Sequence, residues 1–231
     1  MKTIDLELAL KPYGLYSRGF FSLNDNDRDD LKQPISMLAD KNNLAIALVG
    51  NIASSFWPHF TSAPEYCDEL PDPLDRWSKR VAAQLTKELD ISPLFPSDGP
   101  PYLPFQQWAK RAEGLSQSPI GLLIHPQYGL WHAYRFALIF TLDEVWPHAI
   151  VSANSPCVSC IDQPCLNNCP VQAFSVSKYD VPKCSKYLKG KLDSNCNQQG
   201  CQARLSCPAG VEYRYDDAQH LFHLNAFIQA Q

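Results

Sequence analysis

Eight of the nine cysteines in this 231-residue chain fall between Cys157 and Cys207, in two runs. The first reads Cys157-x2-Cys160-x4-Cys165-x3-Cys169-Pro170. The second has Cys184 standing alone, followed by Cys196-x4-Cys201-x5-Cys207-Pro208. Thiolates crowded at this spacing are a ligand set. Two cysteines separated by two residues can wrap one corner of a small inorganic core, and a Cys-Pro ends a run and commonly hands its sulfur to a second core. Two Cys-Pro pairs and eight thiols therefore predict two four-cysteine sites of the kind that hold 4Fe-4S clusters. On the ferredoxin pattern of exchange, Cys157, Cys160, Cys165 and Cys207 make one site, and Cys169, Cys184, Cys196 and Cys201 make the other.

Other uses of cysteine fit less well. Disulfides need an oxidising compartment, and residues 1 to 20 carry Lys2, Asp5, Glu7, Lys11 and Arg18 with no apolar core or small-residue cleavage site. Structural zinc favours paired Cys-x2-Cys knuckles or cysteine mixed with histidine. Only Cys157 and Cys160 form such a pair, and none of the six histidines lies inside the cysteine region. Cys67, far from the rest, reads as a plain thiol.

A hydrophobic fraction of 45% suits a chain with a full core, and the longest apolar stretches, Leu44 to Gly50 and Tyr134 to Thr141, are too short to span a bilayer. These features predict a cytoplasmic protein with no membrane partner. The net charge of −4 supplies no global basic field, which argues against nucleic acid as a partner. Lys183, Lys186, Lys189 and Lys191 form a local basic stretch suited to docking an acidic electron-transfer partner.

Upstream of the cysteines the pattern is mixed. Gly14 to Leu23 reads as a strand and the acidic run Asn24 to Asp30 as a solvated loop. Leu44 to Gly50 (LAIALVG) reads as a strand buried on both faces. Asp72 and Pro73 open a helix whose Leu74, Trp77, Val81 and Leu85 recur at helical spacing. Five prolines between residues 92 and 104 mark a connector. Residues 120 to 141 read as a strand, a turn bearing Pro126 and Gly129, and a central strand with Arg135 near its beginning. A guanidinium entering a buried strand needs an anionic partner, either a ligand group or a carboxylate such as Asp143 or Glu144. His125, Tyr128 and Trp131 cluster around it in sequence and complete a candidate ligand site. No Ser/His/Asp arrangement, HExxH or GxGxxG loop competes with it.

The stretch from Ile124 through His125, Pro126, Tyr128, Gly129, Trp131 and Ala133 to Arg135 resembles the His-Pro-x-aromatic-Gly-x-Trp-x-Ala-x-Arg segment of the cobalamin-processing chaperones, the methylmalonic aciduria and homocystinuria type C family. LAIALVGN and the Asp72-Pro73-Leu74-Asp75 helix start resemble segments of that family too. The C-terminal third resembles epoxyqueuosine reductase instead, through Cys169-Pro170-Val171-Gln172-Ala173-Phe174 and Lys183-Cys184-Ser185-Lys186-Tyr187-Leu188. Both cysteine runs are longer than the usual ferredoxin form. The twin-arginine signal of reductive dehalogenases, which share this domain pairing, is absent from residues 1 to 231.

The resemblance implies an α+β chain: a nitroreductase-related mixed α/β domain over residues 1–150, and a small ferredoxin-like iron-sulfur domain over 151–231. The first would bind cobalamin, or alternatively FMN, through His125, Tyr128, Gly129, Trp131 and Arg135. The second would hold two 4Fe-4S clusters on the eight cysteines. The expected function is that of an iron-sulfur oxidoreductase passing electrons from a donor protein to a bound corrinoid, for processing of the corrinoid or of a substrate. The alternatives are a ferredoxin-type electron carrier without its own substrate and a flavin-dependent reductase.

Overall fold

A computed structural model describes residues 3–31, 43–88, 91–141, 154–175 and 178–231. The chain divides into two compact units, Met1–Gly114 with Ala133–Ser152, and Leu115–His132 with Ala153–Gln231. Residues 115–132, expected in the first domain, thus cluster with the cysteine-bearing part. Eight strands follow in chain order among the described residues: β1 (Tyr16–Ser22), β2 (Leu44–Ile52), β3 (Ser92–Leu94), β4 (Ser116–Gln117), β5 (Leu123–Ile124), β6 (His132–Thr141), β7 (Phe174–Ser175) and β8 (Lys178–Tyr179).

The first unit is a mixed α/β structure around a four-stranded sheet of order β1-β2-β6-β3. β2 lies inside the sheet with its first eight residues buried, as its unbroken apolar run predicts. β6 is the other interior strand, so Arg135 does sit near the start of a central strand. β1 runs antiparallel to β2, with an irregular register between Ser17 and Phe20. Gly50 lies where a Cβ would meet the Ala133 carbonyl oxygen at 2.0 Å, so glycine is what lets β2 pass this close.

The helix Pro73–Glu88 packs one stripe inward: Leu74, Trp77, Val81 and Leu85 are all buried. Trp77 meets Phe56 and Phe60 at ring distances of 5.6 and 5.8 Å. Each such side chain contributes about 1.5–3 kcal/mol through burial, so this stripe anchors the helix.

Three local expectations change. The acidic run is a helix, Asp25–Asp30, because Asn24 and Asp27 form a reciprocal capping box. Asp27 is buried and pairs with Arg111 at 2.9 Å, so the run is not a solvated loop. Residues 92–94 form β3 despite Pro93, which an edge strand tolerates because one side of its ladder is unpaired. Finally, the turn at 125–129 does not join two strands of one sheet, since β5 pairs antiparallel with β4 in a separate two-stranded sheet.

The second unit has small two-stranded sheets, β4-β5 and β7-β8, among short helices. Its core includes Ile120, Ile124, Leu130, Ala173 and Ala203 together with buried Cys165, Cys169 and Cys207. Cysteine replaces the large aliphatic side chains that would otherwise build such a core. No helix among the described residues is long and apolar enough to cross a membrane.

Candidate metal centre

Short turns and capped helices aim the cysteines. Ser155 accepts from the Cys157 N–H through its hydroxyl at 3.3 Å, and the Cys160 N–H closes a turn on the Cys157 carbonyl at 3.3 Å. Cys165 rides on the helix Pro164–Asn167. Asp180 caps the helix Val181–Gly190 by accepting from the Lys183 N–H at 3.0 Å, which sets Cys184 in its first turns. Ser194 caps the helix Asn195–Gln199, which carries Cys196. Cys201 is the N-cap of the helix Gln202–Leu205, and Cys207 follows two residues after its end.

The eight thiols fall into two groups of four. Burial pushes the Cys165 thiol above the ordinary cysteine range, and repulsion from Cys207, Cys157 and Cys160 adds to it. Burial likewise raises Cys207, with Cys157 and Cys160 again adding and Arg214 opposing. On the other side, burial raises Cys196, helped by Cys169 and Cys184. Cys201 is pushed up to about 11, by burial first and then by Cys196 and Cys184. Cys157, Cys160, Cys165 and Cys207 line one small cavity, Cys184, Cys196 and Cys201 line another, and Cys169 lies close enough to act on Cys184 and Cys196. Cys207 thus lies with the first run and Cys169 with the second. Cys67 stands apart and exposed.

The donor set suits a polynuclear cluster. Thiols raised this way stay neutral unless cations compensate them, and metal binding supplies that compensation. Among the described residues no three histidine, cysteine or carboxylate side chains converge on a point that would hold a single metal ion. Backbone donors also reach the sulfurs. The Ala173 N–H donates to Cys169 Sγ at 3.2 Å, Gln202 to Cys196, Arg204 and Ala203 to Cys201, and Ala209 to Cys207. Hydrogen bonds of this kind stabilise a sulfur's negative charge and tune cluster potentials. The Tyr179 hydroxyl bonds Cys184.

The organic-cofactor residues are placed differently. Arg135 belongs to the first unit, where its guanidinium lies over the Phe56 ring at 5.5 Å. Asp143 and Glu144 lie outside the described residues. The other four are in the second unit. His125 Nδ1 accepts from the N–H groups of Gln127 and Tyr128 at 3.0 and 3.1 Å, and its ring stacks on Tyr128 at 4.2 Å. Gly129 has φ +57°, and a Cβ there would lie 2.0 Å from the Ala209 carbonyl oxygen. Trp131 is completely buried, edge-on to Tyr215 and His220. These four residues serve as turn cap, close backbone contact and core.

Two arrangements escaped the sequence reading. Arg204 is held between Trp131 at 4.8 Å and Tyr215 at 4.6 Å, and donates to the Leu130 carbonyl. It lines a cavity of about 330 Å³ with Cys184, Cys196, Cys201 and His220. Burial, reinforced by Arg204, brings His220 down to about 4, so this ring is neutral at ordinary pH. In the first unit, buried Arg18 forks onto Glu113 at 2.9 and 3.0 Å, and the Tyr134 hydroxyl donates to the same carboxylate. Nothing in local sequence pairs residues this far apart.

No protein-family model matches the chain, and no curated protein matches it. Among solved structures, an epoxyqueuosine reductase with an epoxyqueuosine-modified tRNA-Tyr stem loop is 16% identical, with a TM-score of 0.46, over 95% of this chain and 69% of that one. The epoxyqueuosine reductase from Bacillus subtilis is 15% identical, with a TM-score of 0.41 over the same shares. A B12-trafficking protein from C. elegans, CblC, a human MMACHC homologue, is 15% identical with a TM-score of 0.46, over 98% of this chain and 94% of that one.

Proposed function

We propose that this chain is an iron-sulfur oxidoreductase whose second unit holds two 4Fe-4S clusters and relays single electrons. The observation that supports the reading is that Cys157, Cys160, Cys165 and Cys207 line one cavity and Cys184, Cys196 and Cys201 another, with Cys169 near the second set. Cys157, Cys160, Cys165 and Cys207 would hold one cluster, and Cys169, Cys184, Cys196 and Cys201 the other. When bound, such clusters supply one-electron chemistry at potentials down to about −700 mV. The chain's own part is to exclude water from the sulfurs, direct N–H groups at them and present one group to a donor. A nitroreductase-related first unit and a ferredoxin-like second unit belong to this proposal, as does a reducing, cytoplasmic setting.

For the donor, the helix Val181–Gly190 carries Cys184 on its inner side and Lys183, Lys186 and Lys189 exposed, with exposed Lys191 just beyond its end. An acidic electron-donor protein would dock there. The acceptor proposed from the sequence resemblance is a corrinoid, with FMN as the flavin alternative. The engaged positions of His125, Tyr128, Gly129 and Trp131 favour a second reading, an electron carrier without an organic cofactor.

Anaerobic purification with iron, sulfide, cobalt and flavin analysis tests both readings. About eight irons and eight sulfides per chain are expected from two cubes. One tightly bound zinc and no iron would sink the proposal. Cobalamin titration then separates the two readings, because a carrier leaves the corrinoid's visible bands unchanged.

A further inference from the structure

The second unit contains a cavity of about 580 Å³, lined by Gln117, Ser118, Cys157, Gln163, Ser175 and Lys178 among others. Its size is that of a small-molecule site. Cys157 aside, these residues have no part in the cysteine groups, so the cavity needs its own explanation.

Ser118 is 6% exposed, and its hydroxyl oxygen is buried with no hydrogen-bond partner among the described residues. A hydroxyl withdrawn from water and left unpaired is costly, which makes a bound partner at this wall favourable. Lys178 lines the same space and makes no ion pair among the described residues. It faces Ser175 across the β7-β8 hairpin, which fixes its backbone at the cavity edge. Among the described lining residues Lys178 is the one formally charged side chain and none is a carboxylate. The remaining polar lining is the amides of Gln117 and Gln163, the hydroxyls of Ser118, Ser175 and Tyr179, and the Cys157 sulfur at one wall.

An ammonium beside neutral amide and hydroxyl donors, with no arginine fork, suits a phosphate gripped as a point charge. Pro119, Ile120 and Gly121 supply an apolar wall for an attached organic group. We propose that this cavity binds an organic phosphate of about mononucleotide size, with the phosphate at Lys178 and the Ser118 hydroxyl donating to the ligand. Two sources carry this chemistry: a free nucleotide, and the phosphate in the nucleotide tail of a corrinoid.

The test is calorimetric titration of the full chain, of measured iron content, with adenosine monophosphate. Binding of one equivalent is expected, with adenosine weaker by about tenfold or more, the loss for one hydrogen bond to a charged group. Lys178→Gln should weaken the nucleotide similarly, and because Lys178 is exposed and makes no ion pair among the described residues this variant tests binding without a folding cost. Ser118→Ala should do the same, with circular dichroism as a check. No binding at millimolar nucleotide, equal binding of adenosine, or full affinity in Lys178→Gln overturns the inference. Competition by hydroxocobalamin but not by cobinamide, which lacks the nucleotide tail, identifies the corrinoid source; competition by neither identifies a free nucleotide. Iron analysis reads the cluster proposal separately, so either idea can fail without the other.

Discussion

Gly129 and Gly210 sit backbone against backbone: a Cβ on Gly210 would lie 2.6 Å from the Gly129 nitrogen, and one on Gly129 would lie 2.0 Å from the neighbouring Ala209 carbonyl oxygen. Both have φ in the left-handed region. The turn capped by His125 is thereby locked onto the loop that follows Cys207. Tyr128 reinforces this lock, edge-on to Tyr213 at 4.9 Å, while Gln127 donates to the Tyr213 hydroxyl at 2.9 Å.

Gly129→Ala should therefore weaken the group containing Cys207. Left-handed strain alone costs about 1–3 kcal/mol, and the backbone clash adds to it. The measurement is thermal unfolding of the iron-loaded protein together with iron content. A variant as stable and as iron-rich as the wild type would show that the two loops are not coupled.

The legible parts of the fold were those with a strong local period. β2 and the helix Pro73–Glu88 are visible because one buries both faces and the other repeats an apolar stripe. The capping box at Asn24 and Asp27 was also present in the sequence, but the density of acidic residues pointed to solvent instead. The grouping of residues 115–132 with the cysteine region was not legible, since it depends on packing against residues some 80 positions later, such as Ala209. The same holds for the roles of His125, Gly129 and Trp131. Their local motif suggested a ligand, while contacts with Ala209, Tyr215 and His220 give them structural work. Which cysteines lie together was the most readable part, because spacing along the chain limits which thiols can meet whatever the surrounding fold.

The crossing of the two Cys-Pro sulfurs can be tested one residue at a time. Cys169→Ala should remove the same paramagnetic signal as Cys196→Ala, and Cys207→Ala the same signal as Cys160→Ala, each with about half the iron lost under the two-cube proposal. If Cys169→Ala instead matched Cys160→Ala, each run would form its own site and the grouping would be wrong.

Metal removal should loosen the second unit first. Its core uses buried cysteines where larger apolar side chains would stand, so under the two-cube proposal ligation supplies much of its folding free energy. Chelation under anaerobic conditions should expose residues 154–175 and 178–213 to protease while the helix Pro73–Glu88 stays protected. Equal protection with and without iron across the cysteine region would refute this dependence.

A pH effect is expected in the first unit. Glu65 is gripped by Arg80 through contacts of 2.5 and 3.1 Å, and that hydrogen bonding holds its carboxyl below the ordinary value of 4.5. A depressed carboxylate stabilises the fold above its unfolded value, and the contribution disappears as pH falls through the folded one. Glu65→Gln should cost on the order of 1 kcal/mol at pH 7, after allowance for solvent screening at the partly exposed Arg80. The gap should close as the pH drops below 4.5. Denaturant melts of both proteins across this range check it, and a gap that widens toward acid would contradict the ion pair's role.

The lysine face gives the last prediction. Lys183, Lys186 and Lys189 project from the helix that holds Cys184, so positive charge surrounds the backbone nearest the second thiol group. Against the chain's net charge of −4 this local field is of opposite sign, which orients an acidic donor toward Cys184 rather than merely attracting it. Electrostatic steering acts on association rate and weakens with salt, since the screening length falls from about 30 Å at 0.01 M to about 10 Å at 0.1 M. Reversing all three lysines to glutamate should slow reduction by a flavodoxin-type donor by roughly tenfold or more at low ionic strength, within the range known for steered association. The difference should shrink steadily as salt is added, while reduction by dithionite, a small donor that needs no docking face, should be affected far less. Stopped-flow absorbance of the iron-loaded protein measures both rates. An unchanged protein-donor rate at low salt would move the docking site away from this helix, and an equal loss with dithionite would point to damage at the thiol group instead.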